Sequence, residues 1–149
     1  MKQWLIVTIL IIVAGLIAAC NTAAAQPETA QAQSGASPLF TAQSNNEQSV
    51  TVEVTPLNLP KGGNTLDFEV AFDTHSVDLS FDPAAISVLR DGAGREYPAV
   101  AWEGAASGGH HRSGVLRFNV PDDTTGFVEV ILHDVAGVPE RVFHWNLTQ

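Results

Sequence analysis

Thr65-Leu66-Asp67-Phe68-Glu69-Val70-Ala71-Phe72-Asp73 places Leu66, Phe68, Val70 and Phe72 on one parity and Asp67, Glu69 and Asp73 on the other. Successive side chains of a strand point to opposite faces, so this segment predicts a strand with one buried face and one wet face. Outward from it the pattern repeats. Ser49-Val50-Thr51-Val52-Glu53-Val54-Thr55 sets its valines on one parity, and residues 113–120 turn Leu116, Phe118 and Val120 inward. Residues 126–132 do the same with Val128, Val130 and Leu132, and residues 141–147 with Phe143, Trp145 and Leu147.

Shorter runs lie between these: Val77-Asp78-Leu79-Ser80-Phe81, residues 86–89 and residues 96–100. Asp91-Gly92-Ala93-Gly94 reads as the hairpin turn joining the last two, its glycines free to take positive φ. Asp82-Pro83-Ala84-Ala85 fits one helical turn, with Asp82 as cap and Pro83 in the first position. No stretch sustains a helical period. About seven or eight short strands at roughly ten-residue spacing predict an all-β fold, an antiparallel sandwich of immunoglobulin or fibronectin-III type. The cysteine pair of antibody domains is absent. Inward positions are even up to Phe72 and odd from Val77 to Phe81, so residues 73–76 must hold a bulge or a corner where one strand ends and the chain crosses between sheets.

Domain limits follow from composition. Residues 21–46 are rich in Ala, Gln, Ser and Thr, with Leu39-Phe40 the one large apolar pair. Such a segment buries too little surface to offset its chain entropy and is expected to be a disordered tether. Residues 47–149 are the size of a single domain. With Lys2 and Glu28 set aside, six Lys/Arg face fifteen Asp/Glu there, a net charge of −9. That balance repels phosphate backbones and excludes nucleic acid as a partner class. With one cysteine in the chain, no internal disulfide forms.

The remaining segment, residues 1–20, has Lys2 before an uncharged run from Trp4 to Ile17, closed by Ile17-Ala18-Ala19-Cys20. It resembles a bacterial lipoprotein signal ending in a lipobox. The resemblance implies a signal helix, cleavage before Cys20, and acylation of that cysteine's thiol and new amino group. It also implies a membrane-anchored protein of the cell envelope facing outside the cytoplasm. Asn21, rather than Asp, follows the cysteine. In a cell with two membranes this implies sorting to the outer one. Several acyl chains anchor durably where a single chain binds marginally. A plain transmembrane anchor and an ordinary secretory signal are the competing readings. The first is short at 17 residues, and the second leaves a free thiol in an oxidising compartment.

The chemistry-bearing residues collect in two stretches. One is the parity break at residues 73–76. The other is Trp102-Glu103-Gly104-Ala105-Ala106-Ser107-Gly108-Gly109-His110-His111-Arg112, read as a glycine-rich loop. His75, His110 and His111, with Asp73, Asp78 or Glu103 as oxygen donors, offer imidazole and carboxylate ligands suited to Zn²⁺ or Cu²⁺. Adjacent strand residues face opposite ways, so one of His110 and His111 beside His75 is the expected arrangement. In architecture and ligand type this is similar to small exported copper carriers of the CopC type, from which no residue carries over. Trp102 and Arg112 are expected on the partner-facing loop, with Trp102 also able to cap the core at the loop's base. His133 and His144 sit on polar parities as solvent-facing residues, or as a weak second metal pair.

Enzymatic signatures are missing. There is no Gly-x-Ser-x-Gly elbow, and Gly62-Gly63-Asn64 after Lys61 is a turn rather than a phosphate cradle. The expectation is a non-enzymatic binding module whose loop-rich end recognises a protein partner or a divalent metal. The alternative is a structural accessory subunit of an envelope complex.

Overall fold

The computed structural model describes residues 40–59 and 63–147. The expected signal helix, Cys20 and most of the tether lie outside them. Eight strands form: β1 (Gln43–Glu47), β2 (Val50–Pro56), β3 (Thr65–Thr74), β4 (Ser87–Asp91), β5 (Glu96–Gly104), β6 (His111–Asn119), β7 (Phe127–Val135) and β8 (Val138–Asn146). All pairings are antiparallel, in the order β1-β2-β3-β6-β5-β4-β7-β8. Within that order β2-β3-β6-β5 and β4-β7-β8 reproduce the two layers of an immunoglobulin-like sandwich, with β1 added at one edge. The fold expected from the alternation is the fold observed.

The two layers are joined through β5. Its first residues pair with β4 and its later ones with β6, and the register slips between Ala99 and Ala101. This bulge leaves both Val100 and Ala101 on the outer side and bends the strand from one layer to the other. At the other margin β1 and β8 meet. The Gln43 side-chain amide donates to the His144 carbonyl and accepts the His144 N–H at 3.0 Å, pairing with that backbone as a neighbouring peptide would. Trp145 Nε1 adds a bond to the Thr41 carbonyl at 2.9 Å. The tether expected over residues 21–46 is corrected at its far end, where Phe40 is buried and Gln43–Glu47 is a strand. A polar strand needs no apolar alternation when it pairs along an edge and its backbone supplies the bonds.

Between the layers, Val50, Val52, Val54, Leu66, Phe68, Val70 and Phe72 meet Val128, Val130, Leu132 and Phe143, all at most 1% exposed. Phe68 packs edge-on to Phe118 at 5.9 Å and tilted against Trp145 at 5.4 Å. One inward residue of β8 is not apolar. Arg141 is 1% exposed. Its guanidinium donates to Asn45 Oδ1 (2.6 Å) and to the carbonyls of Glu47 (2.8 Å), Val50 (3.0 Å) and Val135 (3.4 Å).

The end of the sandwich away from the candidate site is closed by Asp91, whose carboxylate accepts from Ala93 N, Arg95 N, Arg95 Nε and Tyr97 OH. The expected turn over residues 91–94 forms here, with Gly94 N bonded to the Asp91 carbonyl. Burial pushes the Asp91 carboxyl up, but these donors outweigh it and hold it below the usual carboxylate range. The unfolded chain then binds more protons near pH 4. The stabilisation is complete above the unfolded value of about 3.9 and is lost as pH falls through the lower folded value. Asp91→Asn is expected to cost about 2 kcal/mol at neutral pH, and the gap to wild type should shrink as urea midpoints are followed from about pH 6 to pH 2.

Candidate functional site

The end carrying residues 73–76 is built by a strand that stops abruptly. Thr74 is buried, and its hydroxyl donates to the Ser49 carbonyl at 2.7 Å while accepting the N–H groups of Ser76 and Val77, each at 3.2 Å. Those two N–H groups are thereby satisfied without a neighbouring strand, and the chain leaves the sheet. The parity change is thus a strand ending, not a bulge. Thr74→Val keeps the shape and strips three bonds, so a loss of about 1–3 kcal/mol in urea unfolding is expected.

The run Val77-Asp78-Leu79-Ser80-Phe81, expected as a strand, is not one. It lies extended against the connection between β5 and β6, with Leu79 N bonded to Gly109 O (3.1 Å) and Gly108 N to Leu79 O (2.9 Å). Gly108 and Gly109 take φ of 99° and 83°, which reverses the chain and allows this contact. Asp78 accepts Gly109 N at 3.1 Å, which gives it a structural role in place of the expected ligand role. After it, Asp82 caps the turn at residues 83–86 through its Oδ1 and Ala84 N.

The expected loop over residues 102–112 is shorter than its composition indicated. Trp102 and Glu103 belong to β5, and His111 and Arg112 to β6. Arg112 is not partner-facing. It is 4% exposed and shares the inward parity of Leu116 and Phe118. It donates to the carbonyls of Leu79 (2.8 Å), Phe81 (2.7 Å) and Ala105 (3.2 Å), with its guanidinium 5.6 Å from the Phe81 ring centre and 5.8 Å from that of Trp102. Trp102 packs on the core, 6.3 Å from the Phe72 ring, and its Nε1 donates to Ala105 O, as a cap on the core would. Arg112 and Trp102 are the floor of this end. Beside them Ser80, Phe81, Asp82 and Ser107 help line a cleft of about 270 Å³.

The register sets Asn46, Thr51, Asp73 and His111 in one row across β1, β2, β3 and β6, on the outer face. Asn46, Thr51 and Asp73, with Ser49, Thr74, His75 and Ser76, line an open groove of about 420 Å³ that contains no apolar side chain. His111 Nδ1 stands 2.6 Å from Asp73 Oδ1, and the rings of His75 and His111 are 6.2 Å apart. His75, His111 and Asp73 are therefore brought together.

His110 and Glu103 are not. The His110 carbonyl accepts Thr74 N, and no side-chain contact ties His110 to the pair. Glu103 pairs with Arg117 Nη1 at 2.8 Å and lies opposite Val115. That is four residues along β6 from His111, roughly 13 Å away. Among the described residues no three His, Cys, Asp or Glu side chains converge closely enough to hold an ion by themselves. His133 and His144 do not pair either: His133 lies opposite Glu140, and His144 opposite Glu129, which it meets at 3.1 Å. Of the groove residues, Ser49 and Thr51 had no signal in the sequence beyond their outward parity, and Asn46 fell within the expected tether.

No family model matches the chain, and no curated protein does. Among solved structures, a DUF4426 family protein from Pseudomonas aeruginosa PAO1 is similar at a TM-score of 0.42 and 15% identity, over 70% of this chain and 93% of that one.

Proposed function

We propose that this chain is a lipid-tethered, non-enzymatic binding protein of the cell envelope, held by acylated Cys20, with the polar groove at residues 73–76 as its recognition end. The groove itself carries the reading. Seven residues able to hydrogen-bond line it, and the β1–β2 turn at its side is held by buried Arg141 and by Thr74, so that side is shaped before a ligand arrives. The anchor rests on the lipobox-like Ile17-Ala18-Ala19-Cys20. Mass spectrometry of the amino-terminal peptide should find Cys20 first and acylated, and Cys20→Ala should release the protein from membranes. For the groove, a photo-crosslinking residue at Asn46 or Thr51 should give adducts in cells that one at Val142 does not.

The accessory-subunit reading has an observation in its favour. Pro98, Val88, Ile131 and Val142 lie in one register row across the outer face of β5, β4, β7 and β8; Ile131 is covered by its neighbours, and Val142 is 43% exposed. Adducts confined to Val142 would favour assembly through that face.

A further inference from the structure

We infer that His75 and His111 are the two protein ligands of an exchangeable divalent transition-metal ion, and that Asp73 orients His111 instead of binding the ion. This rests on the groove being the binding end. An imidazole ligating at about 2.0–2.1 Å puts its ring centre roughly 3.2 Å from the ion, so two rings sharing one ion stand about 5.2 Å apart at a tetrahedral angle and about 6.4 Å apart when trans, as in a tetragonal Cu²⁺ site. The two rings stand 6.2 Å apart. His111 Nδ1 is 2.6 Å from the Asp73 carboxylate, so Nδ1 carries the proton and donates it to that bond. Nε2 then keeps its lone pair for the metal. A carboxylate fixing the tautomer and raising the basicity of a ligating histidine is the recurrent outer-shell arrangement of metal sites.

Both partners of that bond are more than half exposed, and Asp73 faces His111 directly across the β3–β6 ladder. An ion can therefore reach the site without unfolding it. Two protein nitrogens leave the other positions to water, which suits a carrier or sensor better than a closed structural site. With nitrogen ligands, and no sulfur among the described residues, Cu²⁺ is favoured over Zn²⁺ by the usual affinity order.

The test is calorimetric titration of the full chain in detergent with Cu²⁺, and then Zn²⁺, at about pH 7.5, where free histidine is neutral. Electron paramagnetic resonance of the Cu²⁺ form gives the nitrogen count. One saturable Cu²⁺ with two imidazole nitrogens is expected. His75→Ala and His111→Ala should each weaken it at least tenfold, and Asp73→Asn by about 10–100-fold with both nitrogens retained. His110→Ala and Glu103→Gln should leave it unchanged. The assignment is overturned by the absence of saturable binding up to about 1 mM, by binding that survives His75→Ala, or by binding that follows His110. Groove crosslinks that persist in His75→Ala, with no metal bound, would sink the metal and leave the binding end standing. Absence of groove crosslinks with the metal bound would do the reverse.

Discussion

Replacing Arg141 with alanine lowers the unfolding free energy by about 3–5 kcal/mol, a large share of the 5–15 kcal/mol typical of a domain. The guanidinium reaches three carbonyls and Asn45 Oδ1, and the carbonyls of Glu47, Val50 and Val135 flank two tight turns. One turn places Gln48 and Ser49 at φ of 46° and 63°, and the other places Ala136 and Gly137 at 54° and 78°. Three of these four residues carry a side chain into the left-handed region, a conformation that persists where the surroundings enforce it. Arg141 supplies part of that enforcement by tying both hairpins to one planar group. Burial acts against it: desolvation pulls the Arg141 pKa down, and its Nε has no hydrogen-bond partner. It stays cationic all the same, because arginine does not lose its proton in proteins. Bonds to a charged donor are worth about 1.5–3 kcal/mol each, so losing four outweighs the relief of burial. Arg141→Lys should recover little, since one ammonium cannot span acceptors on both hairpins. Urea unfolding followed by far-UV circular dichroism reads the loss. Stability equal to wild type in Arg141→Met would mean that burial cancels the bonds, and the clamp would have no net worth.

The inward face of the sandwich was legible because period-two alternation is a direct image of which side chains meet water. The same parity marks both buried arginines, Arg112 with Leu116 and Phe118, and Arg141 with Phe143 and Trp145. Their charge hid them, since an arginine is ordinarily read as exposed. Parity also marks the bulge of β5, where inward positions pass from Tyr97 and Ala99 to Trp102. Other features were not legible at all. Strand β1 pairs through its backbone along an edge, so its composition reads as linker. The row from Asn46 to His111 exists because four strands share a register, and register follows from turn geometry and long-range pairing that no local window contains. His75 and His111 were nameable as candidates. What selected His111 over its neighbour was the ladder that sets it opposite Asp73.

Gly114→Val is expected to be as damaging as loss of Arg141, and for a different reason. Gly104 and Gly114 face each other across β5 and β6. A Cβ on Gly114 would stand 2.5 Å from Gly104 Cα, 2.8 Å from Glu103 O and 2.8 Å from Trp102 Cζ2, and a Cβ on Gly104 would stand 2.5 Å from Gly114 Cα, 2.5 Å from Ser113 O and 2.7 Å from the same Trp102 atom. In each case two of the three atoms are backbone, so the clash cannot be relieved by turning a side chain. Either the strands part or the Trp102 ring lifts away. Lifting it uncovers Arg112, whose guanidinium lies 5.8 Å from that ring, and so loosens the cleft that the two residues help line. Gly114→Ala should cost about 1–3 kcal/mol as overpacking, and valine more. Near-UV circular dichroism should fall with it as Trp102 loses its fixed surroundings. The double change Gly104→Ala/Gly114→Ala gives the sharper result. Once one methyl has parted the strands the second enters the same gap, so the pair should cost clearly less than the two single changes added. Strict additivity would mean that each glycine meets a separate obstacle, and the close approach of β5 and β6 would then not be what holds Trp102 against Arg112.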